Sequence, residues 1–338
     1  CAVSITCWTK GFPANGCKTL GILLFMRVPL PAAMITTSNA VMFKSSLILR
    51  IIRQALCLLG LSALVLLSGC STLKLVYNQA DEAVYWWLDS YVDLTDKQKP
   101  LAKDALRQLH LWHRQNQLPE YVALLQKVRA WAPHDIQPEQ VCAVTQDIQN
   151  SFISALQQIE PDATKLISQL SEPQLQRIRK KYDKLNQEWR GDYLDASEEK
   201  RLRNRNKQLL NRLEDFYGSL DAPQREAVQL WLKSSTFNPT ISFKERQRRQ
   251  ADALQTFARI AQSGPQSGSS SQSQLRAWVD RGFTPPDETV YAYNQALRKE
   301  NCEGFAKLHN STTPAQRQRM VEALRGYEQD FKTLMSLK

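Results

Sequence analysis

The chain has 338 residues, and 44 Lys and Arg against 33 Asp and Glu give a formal charge of +11. Six of the basic residues and none of the acidic ones precede residue 70, so the 269 residues from there on carry 38 basic against 33 acidic groups, or +5. The whole-chain figure overstates the basicity of the part that folds, and 269 residues exclude a fragment too small to bury its own core.

The chain opens at Cys1, and residues 1–41 contain Cys7, Cys17, Pro13, Pro29 and Pro31 without helical or strand periodicity. A fold is not expected there. Met42 lies just ahead of Lys44, with Met34 as an alternative start. Lys44, Arg50 and Arg53 then precede an apolar run from Ala55 to Leu67, closed by Ser68, Gly69 and Cys70. A positive region, a short apolar region and a small-residue cleavage site are the parts of a secretory signal peptide. The apolar run is about 13 residues, short of the roughly 20 needed to span a bilayer as a helix. Residues 42–69 are therefore read as a removed signal peptide.

The tetrapeptide Leu67-Ser68-Gly69-Cys70 resembles the bacterial lipobox. That resemblance implies acylation of the Cys70 thiol, cleavage before it, and acylation of the new amino terminus. Ser71 stands where related sorting systems read Asp as a retention signal, which implies the outer membrane, periplasmic face. Nucleic acid is not expected as a partner at that address. Four of the seven cysteines lie before the cleavage site and Cys70 is used for lipid, which leaves Cys142 and Cys302. Two thiols in an oxidising compartment invite a disulfide, the alternative being two separately buried thiols.

Residues 70–80 are expected to be a lipidated tether, followed by a single helical domain over 81–338. Val84, Trp87, Leu88 and Tyr91 recur at i, i+3, i+4 and i+7, the spacing of one helical face. Trp86 lies off that stripe, and with Tyr85 it suits either the bilayer interface or the core. A helix start follows at Leu94-Thr95-Asp96-Lys97-Gln98, where a Thr cap and a Gln three residues later can satisfy each other's free backbone donors. The same punctuation returns at Ser171 and Gln174, at Asp221 and Gln224, and at Thr313 and Gln316, each time with Pro in the first helical turn. Spacings of 76, 50 and 92 residues are too unequal for a solenoid repeat.

Between these starts the apolar spacing stays helical. Tyr121, Leu124, Leu125 and Val128 form one stripe, and Val141, Val144, Ile148, Phe152, Ala155 and Ile159 form another, expected to end before Pro161. Leu175, Ile178, Tyr182, Leu185 and Trp189 follow, then Leu202, Leu209, Leu213 and Phe216 as far as Gly218. Residues 263–273 are rich in Ser and Gly and read as a flexible loop. No stretch alternates like a half-buried strand, so the class is all-α, an irregular multi-helix bundle.

The ordered set of lipobox, Tyr77-Asn78, Trp86-Trp87-Leu88, Tyr91-Val92-Asp93-Leu94-Thr95, Gln98, Trp112-His113 and Leu118-Pro119 resembles an uncharacterised family of proteobacterial lipoproteins, a domain of unknown function. The resemblance implies an anchored helical fold and no particular activity. Leu94-Thr95-x-x-Gln98 is also similar to the LTxxQ signature of small periplasmic helical chaperones and stress sensors.

Candidate sites are few. His110 and His113 are spaced to share a metal, but no third ligand stands at a recognised offset, so neither metal nor cofactor is expected. Asp89 and Asp93 share a helical face, a geometry suited to acid-base work on peptidoglycan but equally to helix ends. Arg201 and Arg205 belong to one basic run and Arg248 and Arg249 to another. Both are candidates for lipopolysaccharide, phospholipid headgroups or acidic envelope proteins, with Glu198, Glu199, Glu214, Asp215 and Glu245 nearby to balance them. The common hydrolase, zincin and nucleotide-loop motifs are absent from the sequence. The leading expectation is a non-enzymatic interaction or envelope-assembly lipoprotein, ahead of a client-binding chaperone or stress sensor and of a peptidoglycan-acting enzyme.

Overall fold

The computed structural model of the protein describes residues 72–336, so the expected extension at 1–41, the expected signal peptide at 42–69 and Cys70 lie outside the described residues. Within that span every regular element is a helix. The first half contains α1 (Thr72–Asn78), α2 (Ala80–Val92), α3 (Gln98–Trp112), α4 (Leu118–Trp131), α5 (Pro138–Ile167) and α6 (Glu172–Trp189). The second contains α7 (Glu198–Tyr217), α8 (Ala222–Lys233), α9 (Pro239–Ser263), α10 (Gly268–Phe283), α11 (Glu288–Asn310) and α12 (Pro314–Ser336). Single π-helical turns follow α3 (His113–Gln117) and α6 (Arg190–Leu194).

The predicted stripes sort into two apolar cores. One gathers Tyr85, Tyr91, Leu106, Leu175, Ile178 and Leu185 from α2, α3 and α6, with Leu254 and Phe257 of α9 against them. The other gathers Leu118 and Leu125 of α4, Leu213 and Tyr217 of α7, Val228 of α8, Leu308 of α11, and Leu324 and Phe331 of α12. The 30-residue α5 touches α3 and α9 on one side and α4 and α11 on the other, bridging the elements of both cores. Close approach of α8 and α11 depends on a missing side chain: a Cβ at Gly304 would stand 2.2 Å from the Trp231 ring.

Three expectations are corrected. Residues 72–78 of the supposed tether form α1, because Leu73 and Tyr77, one turn apart, both find the core that contains α4 and α12. Helix α5 does not stop before Pro161 but continues to Ile167. Thr164 Oγ1 donates to the Glu160 carbonyl at 2.7 Å, and Glu160 accepts a bidentate pair of bonds from Arg276, at 2.6 and 3.0 Å, tying α10 to that turn. The Ser/Gly-rich stretch 263–273 is not a flexible loop. Only a 3₁₀ turn at Pro265–Ser267 separates α9 from α10, and Ser271 is fully buried with its hydroxyl 2.7 Å from that of Ser267. Serine is small enough to let α10 pack on α9 and α5, so the composition that suggests flexibility serves close contact instead.

Cys142 of α5 and Cys302 of α11, 160 positions apart in sequence, form a disulfide with Cα atoms 5.5 Å apart. Its span joins the start of the bridging helix to the far end of the chain.

Candidate functional site

The helix starts that share a Gln are brought together in pairs. At each start the Gln Oε1 accepts the backbone N–H of the residue three before it: Thr95 for Gln98, Ser171 for Gln174 and Asp221 for Gln224 at 3.0 Å, and Thr313 for Gln316 at 2.9 Å. Gln98 and Gln174 then bond to each other, Nε2 to Oε1, at 3.3 and 2.7 Å. Each also donates to a carbonyl five residues before its partner, Gln98 to Gln169 O at 2.8 Å and Gln174 to Asp93 O at 3.1 Å. Gln224 and Gln316 repeat the arrangement in the other core: 2.8 and 2.9 Å between the amides, then Ser311 O at 3.1 Å and Ser219 O at 3.0 Å.

All four side chains are buried, and every amide uses both its donors and accepts at least twice. Glu could complete a capping box but could not donate to the partner, and Asn is a methylene shorter, which is why this position takes Gln. The helix after Thr95 starts at Gln98 rather than at the residue following the Thr, with Gln98 N–H and Lys99 N–H both bonded to Thr95 O. The LTxxQ-like signature is thus one half of a reciprocal clasp between two helix starts.

A second cluster joins the amino-terminal helix to the body. Tyr77 is buried, its ring edge-on to His110 with centroids 4.8 Å apart, and its hydroxyl lies 2.9 Å from His113 Nδ1. Burial pushes the Tyr77 phenol far up and the His113 imidazole down, so the bond joins a neutral phenol to a neutral ring. Arg114 Nη2 donates to Asn78 Oδ1 at 2.8 Å, and Lys74 Nζ stands 3.6 Å from Asp330 of α12. His113 and Arg114 open a π turn, the kind of local widening that recurs at functional positions. The same Tyr-to-His pairing occurs deep in the second core, where Tyr217 OH meets His309 Nδ1 at 2.8 Å and His309 Nε2 donates to His134 O at 2.9 Å.

Desolvation, with a smaller contribution from His110, lowers the His113 pKa to about 4. The folded state therefore binds fewer protons than the unfolded chain between that value and the ordinary 6.5, and stability falls as pH drops through this window. The full effect is about 3 kcal/mol. Chemical denaturation midpoints recorded from neutral pH down to the folded pKa will show the decline. In His113→Gln the decline will be smaller; an identical slope in both proteins would show that His113 is not its source.

The other singled-out residues have structural partners. Asp89 Oδ1 accepts the Leu94 N–H at 2.8 Å, and Asp93 ends α2 in the left-handed conformation (φ 59°), with Oδ2 3.1 Å from Arg177. They cap a helix instead of converging on a cleft. Arg201 donates to the Ala196 carbonyl at 2.5 Å; Arg205 donates to Ser235 Oγ at 2.9 Å and lies 4.5 Å over the Phe237 ring. Arg248 and Arg249 both bond to Glu245, at 2.7 and 2.6 Å, so one carboxylate of the same helix engages two cations of the second basic run. Trp86 remains 63% exposed.

Sequence reasoning passed over Tyr77 as part of the tether, although Leu73, Val76, Tyr77 and Ala80 already have helical spacing. It also gave no hint of which Gln would meet which. Among the described residues there is no group of three or more His, Cys, Asp or Glu placed to hold a metal, and no helix long and apolar enough to cross a membrane.

No curated protein and no solved structure matches the chain. Residues 90–276 match DUF6279, a family of unknown function, a span that includes the first Gln clasp, the π turn at His113 and both basic runs. The chain belongs to the DUF6279 family.

Proposed function

We propose that this protein is an outer-membrane lipoprotein on the periplasmic side, acting without catalysis as an interaction or envelope-assembly module. The observation that carries the reading is the junction between anchor motif and body. Helix α1 starts two residues after Cys70, and Leu73, Lys74, Tyr77 and Asn78 all engage the helices behind it. An acyl anchor on Cys70 would hold such a body at a fixed attitude to the bilayer, which suits a protein that presents one surface to a membrane-proximal partner. Each buried acyl methylene adds about 0.8 kcal/mol, and more than one chain makes the attachment durable.

Metabolic labelling with a palmitate analogue tests the anchor. Label is expected in the wild-type protein and absent in Cys70→Ala, and unchanged label in that variant would defeat the proposal. Crosslinking in cells tests the interaction role, where a stable envelope partner is expected. The clasps account for the LTxxQ-like starts as architecture, so the similarity to helical chaperones does not by itself bring client binding.

A further inference from the structure

The two most exposed large apolar side chains among the described residues are Leu75, at 65%, and Trp86, at 63%. Both belong to the first two helices after Cys70. Gln79 alone separates α1 from α2. Its N–H bonds to Val76 O at 3.2 Å and its carbonyl accepts from Ala83 N–H at 3.0 Å, so the helical ladder crosses the junction with one bend. Along this pair the exposed positions are Leu75, Asn78, Gln79, Glu82, Trp86 and Ser90, which fall on one stripe. Tyr77, Ala80, Tyr85 and Tyr91 are buried on the opposite side, against the body.

Two cationic side chains flank the stripe, one of them paired with Glu82 on it. Lys103 stands 3.5 Å from Glu82 and 4.6 Å over the Tyr85 ring, which in turn meets Trp86 edge-on at 5.3 Å. Arg114 reaches the stripe at Asn78. Tryptophan beside lysine and arginine is the composition favoured at the level of lipid headgroups.

We infer that this stripe lies on the phospholipid headgroup layer, with Leu75 and Trp86 inserted and the two helices running along the membrane surface. The inference rests on the acylated Cys70 of the proposed function. An anchor two residues before α1 sets the start of the stripe at the bilayer. Were the helices to stand upright, Trp86 would be about 24 Å above the anchor. Lying along the surface brings both apolar side chains to lipid, and the bonds of Lys74, Tyr77 and Asn78 keep the body on the far side.

The test uses the acylated full-length product in vesicles of phosphatidylethanolamine and phosphatidylglycerol whose acyl chains carry bromine, a short-range quencher of tryptophan fluorescence. The protein is expected to float with the vesicles and to be quenched. Trp86→Phe should float equally and lose most of the quenching, and Leu75→Gln should weaken it, with melting curves of both variants unchanged. Flotation with no quenching, or with the same quenching in Trp86→Phe, overturns the inference while leaving the anchor intact. Failure to float, together with unchanged palmitate label in Cys70→Ala, overturns both. A photo-crosslinker placed at position 86 in cells should yield lipid adducts; a discrete protein adduct would assign the stripe to a protein partner and overturn the lipid assignment.

Discussion

Gln224→Ala is expected to destabilise the protein by about 3 kcal/mol, the cost of leaving several buried polar groups unpaired. The substitution strips the Asp221 N–H of its acceptor, the Ser311 carbonyl of its donor, and the Gln316 amide of two bonds. For a chain of this size that is a fall of about 5 °C in Tm, read by thermal melting followed by circular dichroism. Because the two amides act as a unit, Gln316→Ala alone should cost a similar amount and the double variant much less than the sum. The coupling should be about 1–3 kcal/mol. Additive effects would show that the two side chains do not depend on each other, and the clasp would lose its meaning. The Gln98 and Gln174 pair should behave alike in the other core, since its amides have the same bonds.

Loss of the Cys142–Cys302 bridge has the larger expected effect. A closed loop spanning 160 residues restrains the unfolded chain enough to contribute up to about 5 kcal/mol on the chain-entropy model. The double replacement Cys142→Ala and Cys302→Ala should therefore lower the denaturation midpoint strongly, and reductant should do the same to the wild-type protein but not to the variant. Non-reducing electrophoresis should show faster migration of the oxidised form. An unchanged midpoint in the double variant, with both wild-type thiols open to alkylation without reductant, would rule the bridge out. The bridge fastens α11 to α5 at Cys302, a fully buried position two residues before Gly304, where Trp231 of α8 lies against the helix. Its removal is expected to loosen the second core before the first.

The two basic runs show how far composition carries a functional reading. Arg248 and Arg249 look like a phosphate-binding cluster when counted, and so does Arg246 beside them. Glu245, which precedes all three, pairs with the first two, while Arg246 is buried with its Nε on Asn186. Helical spacing places Glu245 three and four residues from its partners, so that pairing was legible from the start. The burial of Arg246 was not, because it depends on where α6 lies relative to α9.

The same division runs through the whole chain. Local physics wrote the helices into the sequence: apolar residues recur every three or four positions, and three of the four Gln starts, at Ser171, Asp221 and Thr313, carry their own cap. The all-α class, most stripes and the Cys142–Cys302 pair could be read that way, the last because only two thiols remain once the anchor motif is set aside. Pairing was beyond that reach. Which Gln meets which, that Tyr77 closes on His113, that α1 is part of the body, and that a Ser-rich stretch packs as helix all depend on partners 36 to 256 residues away. A buried polar group chooses its partner by distance in space, and no local period records that distance. Only the tertiary structure decides it, and with it which side of the first two helices is left facing outward.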